Sequence, residues 1–560
     1  MKKYAIGLDY GTNSCRALIV DLSDGLEVSS SLFNYPSGEA GVLVDKNDPN
    51  LARQNPKDYL DGVTYTITNS IEKAIENDPS FDASSIVGIG VDTTGSSPIP
   101  VNEEGTPMSF LPEFSENINA MCWLWKDHTS FSEAKQITEL AADIRPQYLS
   151  KIGGTYSSEW YWSKVLHCKN IDPTLFDSIA SFVELCDYIP SVLTGHTQPN
   201  NIKRSICAAG HKAMYNKDWG GLPDLEFLSR LDPALCKIRE NYSVEAFSSE
   251  ESAGVLSEAW ANRLGLKPGI SVAVGAFDAH MGAVGAGIKE GTLVKILGTS
   301  TCDIMVQNNQ KKLNDIPGVC GIVDGSVMNN YFGIEAGQSA VGDIFLWFVN
   351  NLTPENYGKS IDEKFEKLEK QAVILKPGET GLLALDWNNG NRTILVDVRL
   401  SGLLLGQTLH TTPHEIFRAL VESTAFGALT IINRIEDYGV KVNDVVNCGG
   451  LAAKSPMLMQ IYADVIGRPM RISRSDQTPA LGASIFGAIS AGEFNDTFSA
   501  QSVLTSIKKT YEPDSKNHEI YQKIYLLYSK AHDAFGTSEW SGSMHNIMKD
   551  LLEIRDQQRS

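Results

Sequence analysis

Tyr4-Ala5-Ile6-Gly7-Leu8-Asp9-Tyr10-Gly11-Thr12-Asn13-Ser14-Cys15-Arg16-Ala17-Leu18-Ile19-Val20-Asp21 sets the architecture of this chain. An apolar run ends in Asp9, turns through Gly11-Thr12-Asn13-Ser14 and returns as a second apolar run, the pattern of a β-hairpin. Gly, Asn and small hydroxyl residues in the turn let backbone N–H groups converge on an anion, because no bulky side chain blocks its approach. Asp9, at the strand end, is placed to hold a hydrated Mg²⁺ beside that anion. The same design recurs at Thr292-Leu293-Val294-Lys295-Ile296-Leu297-Gly298-Thr299-Ser300-Thr301-Cys302-Asp303-Ile304-Met305-Val306. Aligned on the turn, Gly11, Thr12 and Cys15 fall on Gly298, Thr299 and Cys302. Two phosphate-cradling hairpins so far apart point to two similar lobes that clamp one nucleotide, with Gly11, Thr12, Asn13, Gly298, Thr299 and Ser300 as phosphate contacts.

With 560 residues the chain is too long for one core and divides into two large domains. A net charge of −20 argues against a nucleic-acid or anionic-membrane partner, yet it leaves room for a phosphate held by backbone N–H groups and Mg²⁺. No apolar run reaches membrane-spanning length. The stretch after Met1-Lys2-Lys3 is too short, and too soon broken by Asp9, to be a signal peptide. Nine scattered cysteines, an odd number without a Cys-x-x-Cys pair, fit reduced thiols in the cytoplasm. The ten histidines show no His-x-x-x-His or other ligand cluster.

Outward from the first hairpin, an extended stretch (35–55) precedes a helix over 56–77 and a buried strand at 86–91 that ends in Asp92-Thr93-Thr94-Gly95-Ser96-Ser97. Strands alternating with helices imply a largely parallel α/β sheet, whose ligands gather beyond the carboxyl ends of its strands. Residues 101–250 are aromatic-rich and irregular: an insertion that carries substrate specificity, or core aromatics under long loops. Strand then helix return at 271–290. The domain boundary falls just after, giving lobes of 1–288 and 289–560. The second lobe continues with helices at 338–350, 413–435 and 455–467 and a strand at 442–448, and 515–560 reads as a peripheral helical cover.

Asp278 stands where strand gives way to helix. Its plainer reading is a helix N-cap worth about 1 kcal/mol; its functional reading is general base for a hydroxyl acceptor. The helix dipole and a nearby Mg²⁺ are expected to depress its pKa, which phosphoryl transfer tolerates because orientation matters more than basicity. His280, two residues on, reads as packed. Cys448-Gly449-Gly450 is a strand end with a turn flat enough to seat the adenosine half of a nucleotide. Lys212 and Glu335, isolated polar residues in Gly-flanked segments, read as solvated or capping side chains unless a polyhydroxylated ligand joins them.

The two hairpins and the Gly-Gly turn resemble the phosphate-1, phosphate-2 and adenosine motifs of the sugar kinase, heat-shock-70 and actin superfamily. Within it the chain resembles the FGGY carbohydrate kinases, ribulokinases above all. The likeness runs over nearly the whole chain, through Gly88-Ile89-Gly90-Val91-Asp92-Thr93-Thr94-Gly95, Leu124-Trp125-Lys126-Asp127-His128, Ser157-Ser158-Glu159-Trp160, Ala209-Gly210-His211-Lys212, Asp278-Ala279-His280, Glu335-Ala336-Gly337-Gln338 and Leu385-Asp386-Trp387. It implies two actin-like lobes around an ATP cleft and ATP- and Mg²⁺-dependent phosphorylation of the 5-hydroxyl of L-ribulose in arabinose breakdown. It makes Asp278 the base, Asp9 the metal ligand and Gly449 and Gly450 part of the nucleotide seat, and it places the sugar on the backbone near Gly95, on Lys212 and on Glu335. The turn Thr93–Ser97 departs from the Gly-Gln-Met-His-Gly of xylulokinases and the Arg-Glu of glycerol kinases, offering hydroxyl and amide hydrogen bonds instead. Other readings are an FGGY kinase for another pentulose or pentitol, a filament-forming ATPase, or a sugar sensor without catalysis. A homodimer is the expected assembly.

Overall fold

In the computed structural model, which describes residues 2–560, two mixed seven-stranded sheets face one another across a pair of helices. The first sheet runs in the order Ser252–Val255, Ser271–Ala273, Ile86–Thr93, Tyr4–Tyr10, Ser14–Asp21, Glu27–Asn34, with Ala276–Phe277 added alongside Ile86–Thr93. The second runs Gly321–Asp324, Tyr331–Ala336, Thr301–Asn308, Thr292–Leu297, Asp444–Cys448, Met470–Ser473, Ile507–Tyr511. Each contains a hairpin whose first strand also pairs parallel with a later strand of its lobe.

Period-2 alternation explains the layering. In the first sheet Ile6, Leu8, Ile89 and Val91 face outward into a core shared with the helix Pro56–Asn77. That helix begins at Pro56, with the Asn55 side chain accepting from the Lys57 amide. The opposite face carries Gly7, Gly88 and Gly90, and the helix Thr478–Ser490 lies directly on it. A Cβ on Gly7 would stand 1.7 Å from the Ala480 carbonyl oxygen, one on Gly90 1.8 Å from that of Ala483 and one on Gly88 2.0 Å from that of Gly487. The glycines are thus required by backbone approach, and the same alternation ends, just past the helix, in Asp9 and Asp92. Helix Asp278–Gly285 packs beside it through Gly482 and Gly285.

These two helices share one apolar core with both sheets: Ala5 and Leu18 on one side, Val294, Ile304, Val446 and Cys448 on the other. Helix 478–490 follows the second sheet's strands in sequence yet packs on the first sheet, a placement periodicity does not reveal. The outer face of the second sheet is covered by Pro413–Asp437, started by a capping box between Thr412 and Glu415. The C-terminal stretch is more than a cover. Helix Ser515–Gly536 sends Tyr521 to Glu422 and Tyr528 to Asp386, both hydrogen bonds buried in the core.

The extended stretch 35–55 contains a hairpin, Leu43–Asp45 with Asp48–Gln54. The insertion has its own core built on Trp123, Tyr161, Trp162, Phe182 and Phe227, so most of its aromatics are structural. All nine cysteines are free thiols, and among the described residues no helix is long and apolar enough to cross a membrane.

Candidate active site

The site grows from the register of the first sheet. Asp9 lies opposite Asp92 on the parallel neighbour, and Ala276–Phe277 on the far side of that neighbour brings Asp278 to the same end. Burial pushes all three carboxyls above the ordinary carboxylate range. For Asp9, Arg16 works against the shift; for Asp92, the charges of Asp9 and Asp278 add to it. Asp92 is fully buried and both of its carboxylate oxygens lack a hydrogen-bond partner. Paired carboxylates with free oxygens at a strand end are the hard oxygen donors that a divalent cation such as Mg²⁺ takes, so Asp9 and Asp92 fit such an ion. Asp92 was not among the residues expected from the sequence to carry chemistry. The signal lay in the shared spacing of Ile-Gly-Leu-Asp and Ile-Gly-Val-Asp.

Asp278 corrects two expectations. It is the first residue of its helix rather than the cap, which is Phe277, and its Oδ1 accepts from the Ala279 amide at 2.7 Å. Its pKa is raised to about 7, against the lowering expected from the helix dipole: burial, then Asp9 and Glu335, outweigh the Ala279 hydrogen bond and Lys212. A carboxylate poised near neutrality can take a proton in the pH range where the chemistry runs.

Lys212 and Glu335 are neither solvated nor capping. Lys212 ends helix Ile206–Lys212, Glu335 lies on strand Tyr331–Ala336, and their side chains meet with Nζ 3.2 Å from Oε1, both buried. Burial opposes ionisation of Glu335, but the neighbouring cationic charge, that of Lys212 first, more than offsets it and holds its carboxyl well below the usual range. The Lys212 ammonium lies over the ring of Trp160, 5.4 Å from its centroid, and near that of Phe277.

The turn after Asp92 also differs from expectation, because its hydroxyls are spent inside the fold. Ser96 Oγ and the Ser97 amide both donate to Glu184, Thr94 Oγ1 bonds Ser97 Oγ at 3.0 Å, and the Thr94 amide donates to Tyr10. Lys164 braces the turn from below, donating to the carbonyls of Ser96 and Leu124 at 2.7 Å each. Gly95 has no room for a side chain: a Cβ would stand 2.0 Å from the Phe277 ring.

Of the phosphate-turn residues, Gly11–Asn13 connect the first hairpin. Thr12 is braced by Trp125, whose indole N–H donates to Thr12 Oγ1 at 3.0 Å, and by Gln54 on its carbonyl at 2.6 Å. The Asn13 side chain turns away and donates to the Ala40 carbonyl. In the second hairpin, Gly298–Ser300 form the turn, and the amides of Val341 and Gly342, where helix Gly342–Leu352 begins, donate to the carbonyls of Thr299 and Gly298. Gly449, at φ +94°, packs on the Leu297 carbonyl, whereas a Cβ on Gly450 would meet nothing within 4 Å. The structure therefore brings Gly298, Thr299 and Gly449 to one end of the second sheet, with Gly450 facing open space. Asp278, starting a helix shared by both sheets, is close enough to Asp9, Glu335 and Lys212 for their charges to act on its carboxyl.

Models of the FGGY family of carbohydrate kinases match residues 4–285 (N-terminal domain) and 293–491 (C-terminal domain). The ribulokinase of Vibrio parahaemolyticus is 44% identical over 543 residues, covering 94% of this chain and 95% of its own. That of Shouchella clausii is 38% identical over 570 residues, covering 99% and 98%. The fold is shared with the crystal structure of xylulose kinase from Rhodospirillum rubrum, at TM-score 0.77 and 20% identity, covering 95% of this chain and 99% of that one.

Proposed function

This chain belongs to the FGGY family of carbohydrate kinases, ATP-dependent enzymes that use a divalent metal, and we propose that it phosphorylates L-ribulose at the 5-hydroxyl as a step of L-arabinose breakdown. The observation that carries the reading is Asp278: a half-buried carboxyl at the strand end it shares with Asp9 and Asp92, where the charges of Asp9, Glu335 and Lys212 reach it and its pKa is raised to about 7.

In this reading two lobes, 1–288 and 289–560, hold ATP between them, the second lending helix 478–490 to the first. Backbone N–H groups of Gly11–Asn13 and of Thr299 and Ser300 receive the phosphates, Gly298, whose own N–H donates to the Ser300 carbonyl, shapes the second turn, and Gly449–Gly450 seat the adenosine. Asp9 and Asp92 hold Mg²⁺, which when bound neutralises charge on the phosphates. Lys212, Glu335 and the backbone at Gly95 orient the open-chain ketose. Asp278 accepts the proton of the 5-hydroxyl as that oxygen bonds to the γ-phosphorus and the bond to the bridging oxygen of ADP breaks. Phosphoryl transfer has a loose transition state, so alignment of acceptor and phosphorus supplies most of the acceleration. The same reading makes the protein a cytoplasmic enzyme and a homodimer.

A panel of L-ribulose, D-ribulose, xylulose, ribitol and glycerol, scored for Mg²⁺-dependent ADP formation, tests it. L-Ribulose is expected to be the preferred acceptor. Preference for another polyol would overturn the substrate, and sugar-independent turnover alone would overturn the kinase reading.

A further inference from the structure

Behind Lys212 and Glu335 lies a buried polar chain that phosphoryl transfer does not itself require. His211 Nδ1 stands 3.5 Å from Glu335 Oε2. His211 Nε2 lies 3.1 Å from His280 Nε2 and 3.1 Å from Ser326 Oγ, while Ser326 Oγ also reaches the Val323 carbonyl. Both rings are almost fully buried, and the remaining nitrogen, His280 Nδ1, has no partner at all. The space for the His211 ring comes from Gly321, the cross-strand neighbour of Glu335. A Cβ there would fall 2.2 Å from His211 Nδ1.

Burial disfavours charge on these rings, holding His280 down at about 4 and His211 well below its ordinary value, so each is neutral and carries one N–H. Two nitrogens 3.1 Å apart need one proton between them. If His211 Nε2 donated, the lone pair of His211 Nδ1 would face the Glu335 carboxylate, and His280 Nδ1–H would be a buried donor without an acceptor. In the opposite arrangement His280 Nε2–H donates to the one lone pair of His211 Nε2, His211 Nδ1–H points to Glu335, and the Ser326 hydroxyl spends its proton on the Val323 carbonyl rather than on His211. The partnerless His280 Nδ1 is then a bare acceptor, the less costly orphan.

We infer that His280 and His211 are positioning residues that act on the same oxygen of Glu335, His211 facing it at 3.5 Å and His280, 3.9 Å from it, chiefly through its shorter contact with His211, while Lys212 fixes the other oxygen, so that the carboxylate is preset to accept a sugar hydroxyl. This rests on the reading of Glu335 as a sugar-binding group. His211 and His280 belong to elements that precede the second hairpin, and Gly321, Ser326 and Glu335 to elements that follow it. The chain therefore ties the sugar side of one half to the other before substrate arrives.

The test compares His280→Phe, His280→Gln and Gly321→Ala with wild type. His280→Phe keeps the volume and loses the donor, and should raise the ketose KM about tenfold while leaving kcat within threefold and the ATP KM unchanged. His280→Gln keeps an N–H at similar reach and should recover most of the loss. Gly321→Ala, which displaces the His211 ring, should reproduce the Phe phenotype. Equal behaviour of Phe and Gln, or a fall in kcat with ketose KM unchanged, overturns the inference. A second readout needs no activity. ¹⁵N spectra of labelled histidines in the sugar-free protein, assigned with the single variants, should show Nδ1–H on His211 and Nε2–H on His280. The reverse tautomers overturn the chain. If the sugar panel shows no kinase activity while the tautomers are as expected, the substrate reading fails and the hydrogen-bonded chain stands.

Discussion

The two hairpins look alike as letters but differ as chemistry. In the first, Tyr10 pairs with Cys15 and Asp9 with Arg16; in the second, Leu297 pairs with Thr301 and Ile296 with Cys302. The second turn closes one residue sooner, so the likeness of Gly11-Thr12 to Gly298-Thr299 does not extend to the pairing beyond. The position held by Asp9, opposite Asp92 on the parallel neighbour, is held in the second sheet by Ile296, opposite Cys448. One sheet thus ends in carboxylates and the other in an apolar pair facing the shared helices. Below that pair the second hairpin buries an ion pair, Lys295 with Asp303 at 2.7 Å, joined to Gln338. In the proposed mechanism this becomes a division of labour: both turns would grip phosphate, and only the first half would supply the cation site and the base.

The largest effect expected from this division is at the base itself. Asp278→Asn should lower kcat about 10³-fold with ATP and ketose binding retained, measured by coupled ADP release and by calorimetry. Next, Asp9→Asn and Asp92→Asn should each raise the Mg²⁺ concentration needed for half-maximal rate by roughly a hundredfold. Ile296→Val, the matching site in the other half, should leave the kinetics unchanged and cost about 1 kcal/mol of stability in denaturant titration. A metal requirement that shifted with Ile296 would erase the contrast.

The pH dependence is smaller but distinctive. Asp278 must be ionised to accept a proton, so kcat/KM for the ketose should fall tenfold per pH unit below about 7. The sign for stability is opposite. A carboxyl raised in the folded state is favoured protonated, so its contribution is full below the ordinary value of 3.8 and lost as pH rises through about 7. Asp278→Asn should accordingly gain melting temperature relative to wild type between about pH 5 and about pH 8. The smallest effects separate the two glycines of the second half. Gly449→Ala, at positive φ and against Leu297, should cost about 1–3 kcal/mol, whereas Gly450→Ala should cost under about 0.5 kcal/mol and raise only the ATP KM.

Much of this was legible in the chain. Turn chemistry and period-2 alternation mark both hairpins, and the helix starting at Pro56 declares itself by its cap and proline. Asp9 and Asp278 follow from their places at a strand end and a strand-to-helix junction, and Lys212 and Glu335 from motif resemblance. Pairing at a distance was not legible. Lys212 and Glu335 are separated by 123 positions, and nothing local shows that each neutralises the other. The raised pKa of Asp278 depends on burial and on charges from other strands, while the helix dipole and expected Mg²⁺, the terms visible locally, point the other way. Asp92 was hidden because its partner, Asp9, is set by sheet register. Likewise the hydroxyls of the turn at Thr94–Ser97 read as ligand donors until Glu184 is seen to take that of Ser96 while those of Thr94 and Ser97 bond each other.

The central claim is that both turns grip one triphosphate while the cation sits only in the first half. A crystal structure with Mn²⁺ and a non-hydrolysable ATP analogue, phased on the manganese anomalous signal, tests it most directly. The account predicts phosphate oxygens on backbone amides of both the Gly11–Asn13 turn and Thr299–Ser300, with manganese beside Asp9 and Asp92. Phosphates held by one turn alone, or manganese bound in the second half, would contradict it.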